Sequence, residues 1–221
     1  MIRAVLFDLD GTLYDRDALV RSIVNDQLVA FRDSLSGVDA SRYRARVIEL
    51  DAHGYSIKKE VFATIATEFG LGAEMGERLL AHFWETYDGY CTLSDDVART
   101  LQTLKREGKK LGVITNGSVK KQEPKLKALG LDGFFDTVLI SQREGVHKPD
   151  PLIFQRALDR CGVKAGESMF VGDHPEVDVA GASRAGLLPV WKRVPYWEMS
   201  TDRAMTIDDL SEILPGCLGV R

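Results

Sequence analysis

Asp8 and Asp10 are the residues whose types and spacing point most directly to chemistry in this 221-residue chain. They are separated by the single residue Leu9 in Val5-Leu6-Phe7-Asp8-Leu9-Asp10-Gly11-Thr12, where an apolar run delivers two carboxylates to a glycine-ended turn. In extended backbone, residues i and i+2 share a face, so both acids are placed to work on one bound group. One carboxylate of such a pair can act charged, as a nucleophile or metal ligand, while the other exchanges a proton. The competing explanation is an Asp-Gly turn that only ends a strand. Thr115-Asn116-Gly117, Lys148-Pro149 and Gly172-Asp173, with Asp178 five residues further on, weigh against it. Each alone could be a helix start, a surface loop or a turn. Each also follows a stretch that reads as a strand, and that shared placement makes them one constellation.

The elements that must position these residues follow from hydrophobic periodicity. The run before Asp8 reads as a buried strand. Residues 15–88 then read as a bundle of about four helices: Val20, Val24, Leu28 and Phe31 recur at helical intervals, as do Ile57, Val61, Ile65 and Phe69, then Leu79, Phe83 and Tyr87, with a weaker helix over 41–51. Beyond residue 93 helices and strands alternate, with helices over 95–107, 118–129, 152–161 and 177–185 and strands over 110–114, 137–140, 168–171 and 187–191. A last short helix is predicted over 207–214. This order predicts an α/β fold with a doubly wound parallel sheet, built from residues 1–14 and 89–221, and an all-helical domain of residues 15–88 inserted after the first strand. Ligands of such sheets bind at the carboxyl ends of the strands, where the polar residues above converge.

Composition narrows the class. With 44% hydrophobic and 28% charged residues the chain is expected to fold throughout. Cys91, Cys161 and Cys217 are odd in number and form no C-x-x-C pair, which argues for small buried hydrophobes over disulfides or thiolate metal sites. A net charge of −4 gives no reason to expect nucleic acid as a partner. Residues 15–88 carry 13 acids against 9 bases and the remainder 20 of each, so all the excess lies in the helical segment. No apolar leader or membrane span is visible, and a cytoplasmic location is the expectation.

Asp8-Leu9-Asp10-Gly11-Thr12, Thr115-Asn116, Lys148-Pro149 and Gly172-Asp173 to Asp178 resemble the four motifs of the haloacid dehalogenase-like superfamily, in that family's order and spacing. The helical insert is placed and sized like the cap of its phosphatase-rich branch. The resemblance implies a Rossmann-like core and a Mg²⁺-dependent phosphatase that hydrolyses a small phosphomonoester, a sugar phosphate or nucleotide, through an aspartyl-phosphate. It implies that Asp8 is the nucleophile and that Asp10 protonates the leaving alkoxide, then takes a proton from water. Lys148, the Thr115 hydroxyl and the Asn116 amide would hold the phosphoryl oxygens. The Asp8 and Asp173 side chains and the Asp10 carbonyl would ligate Mg²⁺, with Asp178 as an outer partner and Thr12 fixing the loop by a hydrogen bond.

Charge supports the metal: Asp8, Asp10, Asp173 and Asp178 against Lys148 would repel a phosphate dianion unless a cation is added. Asp10 argues against a dehalogenase, because a halide leaving group needs no acid. A phosphomutase with the same motifs is the runner-up, and a non-catalytic binding module a more distant alternative. Three further residue sets carry weaker expectations. His174 is read as packing its loop, Lys58 and Lys59 as a solvated face, and Tyr14, Arg16 and Arg21 as specificity, hinge or surface residues.

Overall fold

The computed structural model describes residues 1–198 and 204–214, so the expectation for Cys217 lies outside the described residues. Contacts divide the chain into two compact units, Met1–Tyr14 with Thr92–Arg221, and Asp15–Cys91. The first strand, Ala4–Phe7 (β1), is buried along its whole length. The second unit consists of Arg16–Ala30 (α1), Ala40–Asp51 (α2), Lys58–Glu68 (α3) and Ala73–Tyr90 (α4). Asp15 and Asp39 cap α1 and α2, their carboxylates accepting from the amides of Ala18 and Arg42, both at 2.7 Å.

The first unit continues with Asp95–Arg106 (α5), Lys110–Thr115 (β2), Val119–Ala128 (α6), Thr137–Ile140 (β3), the short turn Ser141–Glu144 (α7) and Pro151–Cys161 (α8). Ser168–Gly172 (β4), a π-helical turn over Pro175–Ala180, Gly181–Arg184 (α9), Leu188–Lys192 (β5) and Met205–Ile207 (β6) follow. The strands form one parallel sheet in the order β3-β2-β1-β4-β5-β6. Strand order reverses at β1, which pairs with β2 on one side and β4 on the other, and such a reversal opens a crevice at the carboxyl ends. Leu6, Ile114, Leu139 and Phe170 of the sheet pack on Ile153, Phe154 and Leu158 of α8, all buried. Phe154 meets Phe170 edge-on at 5.0 Å. The chain is thus an α/β fold with a doubly wound parallel sheet and an all-helical insert after the first strand. Among the described residues no helix is long and apolar enough to cross a membrane.

Three expectations are corrected. In place of a helix over 207–214 the chain forms β6, paired with β5 through Val190 and Met205, and then a single 3-10 turn over Leu210–Ile213. Leu210 and Ile213 are three residues apart, a spacing that suits a 3-10 turn as well as an α-helix, so periodicity could not separate them. The helix over 177–185 is a π-helical turn followed by α9. Lys58 is not on a solvated face: it is buried, with Nζ 2.6 Å from Asp51, while its neighbour Lys59 is exposed.

Arg16 is buried on the same carboxylate, with Nη1 and Nη2 at 2.6 and 3.0 Å from the two Asp51 oxygens. Asp51 therefore joins α1, α2 and the start of α3. Burial raises its pKa, but the Arg16 and Lys58 charges and hydrogen bonds outweigh that and hold it below the ordinary carboxylate range. Arg21 by contrast is exposed, 3.6 Å from Asp15.

Replacing Asp51 with Ala leaves two buried cations without this carboxylate and is expected to destabilise the protein by about 3–5 kcal/mol in chemical denaturation. A loss under about 1 kcal/mol would show the cluster to be as weak as a surface pair. Because the folded pKa is depressed, the Asp51 contribution is present above the unfolded carboxylate pKa and fades as pH falls through the folded value.

Candidate active site

Asp8 follows β1 directly, and its amide donates to the Val171 carbonyl at 2.9 Å, so the pairing of β1 with β4 continues into the site. The loop beyond it closes through Gly11 N to Tyr14 O and Leu13 N to Leu9 O, both 3.1 Å. Gly11 has φ +84°, and a Cβ there would lie 2.7 Å from a carboxylate oxygen of Asp173. Glycine is required on both counts, since the backbone is left-handed and the loop runs against the acid. The Thr12 hydroxyl does not tie the loop as expected. It is buried without a partner among the described residues, and the backbone bonds do that work.

Asp173 leaves the end of β4, its carbonyl accepting from Trp191 Nε1 at 2.7 Å. His174 packs in the loop, where its Nδ1 accepts from the amides of Glu176 and Val177, both 3.2 Å, and caps the π-helical turn. Burial holds its pKa below the ordinary histidine value, consistent with an accepting nitrogen. That turn returns Asp178 to the site, where one oxygen accepts from His174 N at 3.0 Å.

Lys148 joins these strand ends. Its buried ammonium lies 2.5 Å from Asp8 Oδ1 and 2.7 Å from Asp178 Oδ1. Its backbone is held by Asn116, whose side chain donates to the Lys148 carbonyl and accepts from the Lys148 amide, both at 2.9 Å. Asp8, Asp173 and Asp178 each offer an oxygen within 4.8 Å of the others. Asp178, expected as an outer partner, stands in this trio, while the Asp10 side chain does not.

The electrostatics show a cluster short of positive charge. Burial, against Lys148 and reinforced by Asp178, pushes Asp8 up to about 7. Burial together with Asp178 and Asp8 pushes Asp173 up to about 9. Burial lowers the Lys148 pKa, but Asp178 and Asp8 more than offset it and leave it raised. Three buried carboxylates and one ammonium, all donors being oxygen, fit a hard divalent cation.

Asp10 looks elsewhere. One oxygen accepts from Lys125 Nζ at 2.5 Å and from the Tyr14 hydroxyl in a short bond, and the other accepts from Gln122 Nε2 at 3.1 Å. The two acids of the opening motif therefore have different surroundings, although a single residue separates them. Thr115 is buried at the end of β2, with Oγ1 3.0 Å from Gln122 Nε2. Gln122 and Lys125 are not among the residues that the sequence alone singles out, since the stretch over 118–129 reads there only as a helix. Their one signal was a polar pair three residues apart on a helix that leaves the Thr115-Asn116 strand end. Tyr14 is buried and bonded to Asp10.

A family model for haloacid dehalogenase-like hydrolases matches residues 2–186. The chain is 36% identical over 209 residues to the glyceraldehyde 3-phosphate phosphatase of Methanopyrus kandleri, covering 90% of this chain and 88% of that protein. A haloacid dehalogenase-like phosphatase from Thermococcus onnurineus matches in structure with a TM-score of 0.62 and 28% identity, covering 99% of this chain and 98% of that one. A 2-haloacid dehalogenase from Pseudomonas syringae matches with a TM-score of 0.61 and 30% identity, over 99% and 98% of the two chains. The chain belongs to the haloacid dehalogenase-like hydrolase family.

Proposed function

We propose that this chain is a Mg²⁺-dependent phosphatase that hydrolyses a small phosphorylated metabolite of the sugar-phosphate class through an aspartyl-phosphate on Asp8. It is a phosphoric monoester hydrolase, and the glyceraldehyde 3-phosphate phosphatase relative supports the substrate class. The observation that carries the reading is the separation of Asp8 from Asp10. One carboxylate lies against Lys148 among acids, the other against Lys125, Gln122 and Tyr14. Neighbouring carboxylates in unlike surroundings can take unlike parts in a reaction. Asp10 also separates this reading from dehalogenation, where the leaving halide needs no proton.

In the first displacement an ionised Asp8 oxygen bonds to phosphorus as the ester P–O bond breaks, and Asp10 gives its proton to the departing alkoxide. In the second, water bonds to phosphorus, its proton passes to Asp10, and the Asp8–phosphorus bond breaks with release of phosphate. Lys148, the Thr115 hydroxyl and the Asn116 amide face the charge spread over the phosphoryl oxygens, where positioning and electrostatics supply most of the catalysis. The Asp8 and Asp173 carboxylates and the Asp10 carbonyl, with Asp178 beside them, would hold Mg²⁺, which when bound supplies the positive charge that lets a phosphate dianion approach Asp8.

Asp8→Asn removes the nucleophile at nearly constant shape and is expected to lower phosphate release from a panel of phosphorylated metabolites by at least about 10³-fold. Release at the native rate would refute the assignment. A second expectation concerns pH. Asp8 and Asp173 titrate higher in the folded chain, near 7 and 9, so in the absence of a divalent ion stability falls as pH rises from about 4 through those values. Mg²⁺ replaces those protons, so it should raise the melting temperature more at pH 8 than at pH 5. Equal shifts, or none, would count against a metal on this trio.

A further inference from the structure

A carboxylate on a loop has two soft side-chain torsions, and its own backbone does not decide where its oxygens sit. In this chain α6 makes that decision for Asp10. Gln122 and Lys125 lie three residues apart, on one face of α6, and both are buried. They take different oxygens of the same carboxylate: Lys125 Nζ lies 2.5 Å from Oδ1 and Gln122 Nε2 3.1 Å from Oδ2. Two donors on two oxygens fix the plane of the group as well as its position.

Gln122 is itself held in one orientation. Its Nε2 also lies 2.8 Å from the Asn116 carbonyl and 3.0 Å from Thr115 Oγ1. The Asn116 carbonyl only accepts, as does Asp10 in its ionised form, so the nitrogen of the amide must face them. That orientation leaves Gln122 Oε1 buried with no partner among the described residues, a cost the reversed amide would not repay. The space for it comes from Gly117, whose φ is +144° and where a Cβ would stand 2.8 Å from Gln122 Nε2. One side chain thus touches the second acid of the opening motif and both polar residues at the end of β2.

We propose that Gln122 and Lys125 are positioning residues for Asp10. They set the orientation from which its carboxyl serves the leaving group, and Gln122 keeps it in register with Thr115 and Asn116. This rests on the reading of Asp10 as the acid that protonates the leaving oxygen.

The test uses kcat/KM, which covers the steps up to departure of the leaving group. It compares an alkyl phosphate, which needs a proton on its leaving oxygen, with p-nitrophenyl phosphate, which needs one far less. Gln122→Met and Lys125→Met keep side-chain length and remove the donors. Each is expected to lower kcat/KM for the alkyl phosphate at least about tenfold more than for the aryl ester, part of the 10²–10⁴-fold worth of general acid catalysis. Lys125→Arg should recover part of the selective loss. Should Gln122→Met fail to fold, Gln122→Asn, one methylene too short to reach, gives the same comparison.

Asp10→Asn is run beside them. If it shows the selective loss while the Gln122 and Lys125 variants lose both substrates equally, or neither, positioning is overturned and the acid stands. If Asp10→Asn loses both substrates equally, the acid reading falls and the proposal falls with it.

Discussion

The buried ammonium of Lys148 is the group on which the rest of the site depends. At an effective dielectric constant of about 20, two unit charges about 4 Å apart interact by about 4 kcal/mol, so carboxylates crowded at one sheet edge repel by amounts comparable to the whole stability of a domain. Lys148 stands within hydrogen-bond reach of Asp8 and Asp178 and makes that crowding tolerable. Even so, the acids Asp8 and Asp173 remain well above their ordinary pKa values, which fits the cation proposed for this trio. The sheet makes the arrangement possible. Asp8 and Asp173 leave adjacent parallel strands at the point where strand order reverses, and Asn116, from the strand on the other side of β1, holds the Lys148 backbone by a reciprocal pair of hydrogen bonds.

A second constraint is that the two acids of the opening motif must not share one environment. Each has a lysine of its own, Lys148 from the loop before α8 and Lys125 from within α6. Because the cations come from elements on separate stretches of the chain, the surroundings of Asp8 and Asp10 can differ although their backbones are two residues apart. In the proposed mechanism, that division lets one group attack phosphorus while the other handles protons.

The parts of this arrangement visible in the sequence were those written in local pattern. Runs of apolar residues ending in Asp8, Thr115 and Asp173 mark strand ends, and alternation of strands and helices fixes their convergence on one edge. The parts that escaped depend on tertiary contact. Lys58 beside Lys59 looks like surface charge until Asp51 and Arg16 are seen to bury it. Gln122 and Lys125 sit in a polar helix whose sequence does not say which face meets Asp10. Residues 205–213 carry too few apolar positions to tell an edge strand and a 3-10 turn from a short helix. Thr12 is a different case: a threonine in a tight loop suggests a hydroxyl bond, but here the backbone closes on itself and the loop needs none.

The central claim is that Asp8 carries the phosphoryl group between two in-line displacements. Stereochemistry at phosphorus tests it most directly, either with a phosphoryl group made chiral by three oxygen isotopes and an alcohol as acceptor, or with a chiral isotopic thiophosphate ester hydrolysed in isotopic water. Each in-line displacement inverts the centre, so transfer through Asp8 predicts net retention of configuration. Net inversion would mean that water attacks the substrate directly, and would contradict the account.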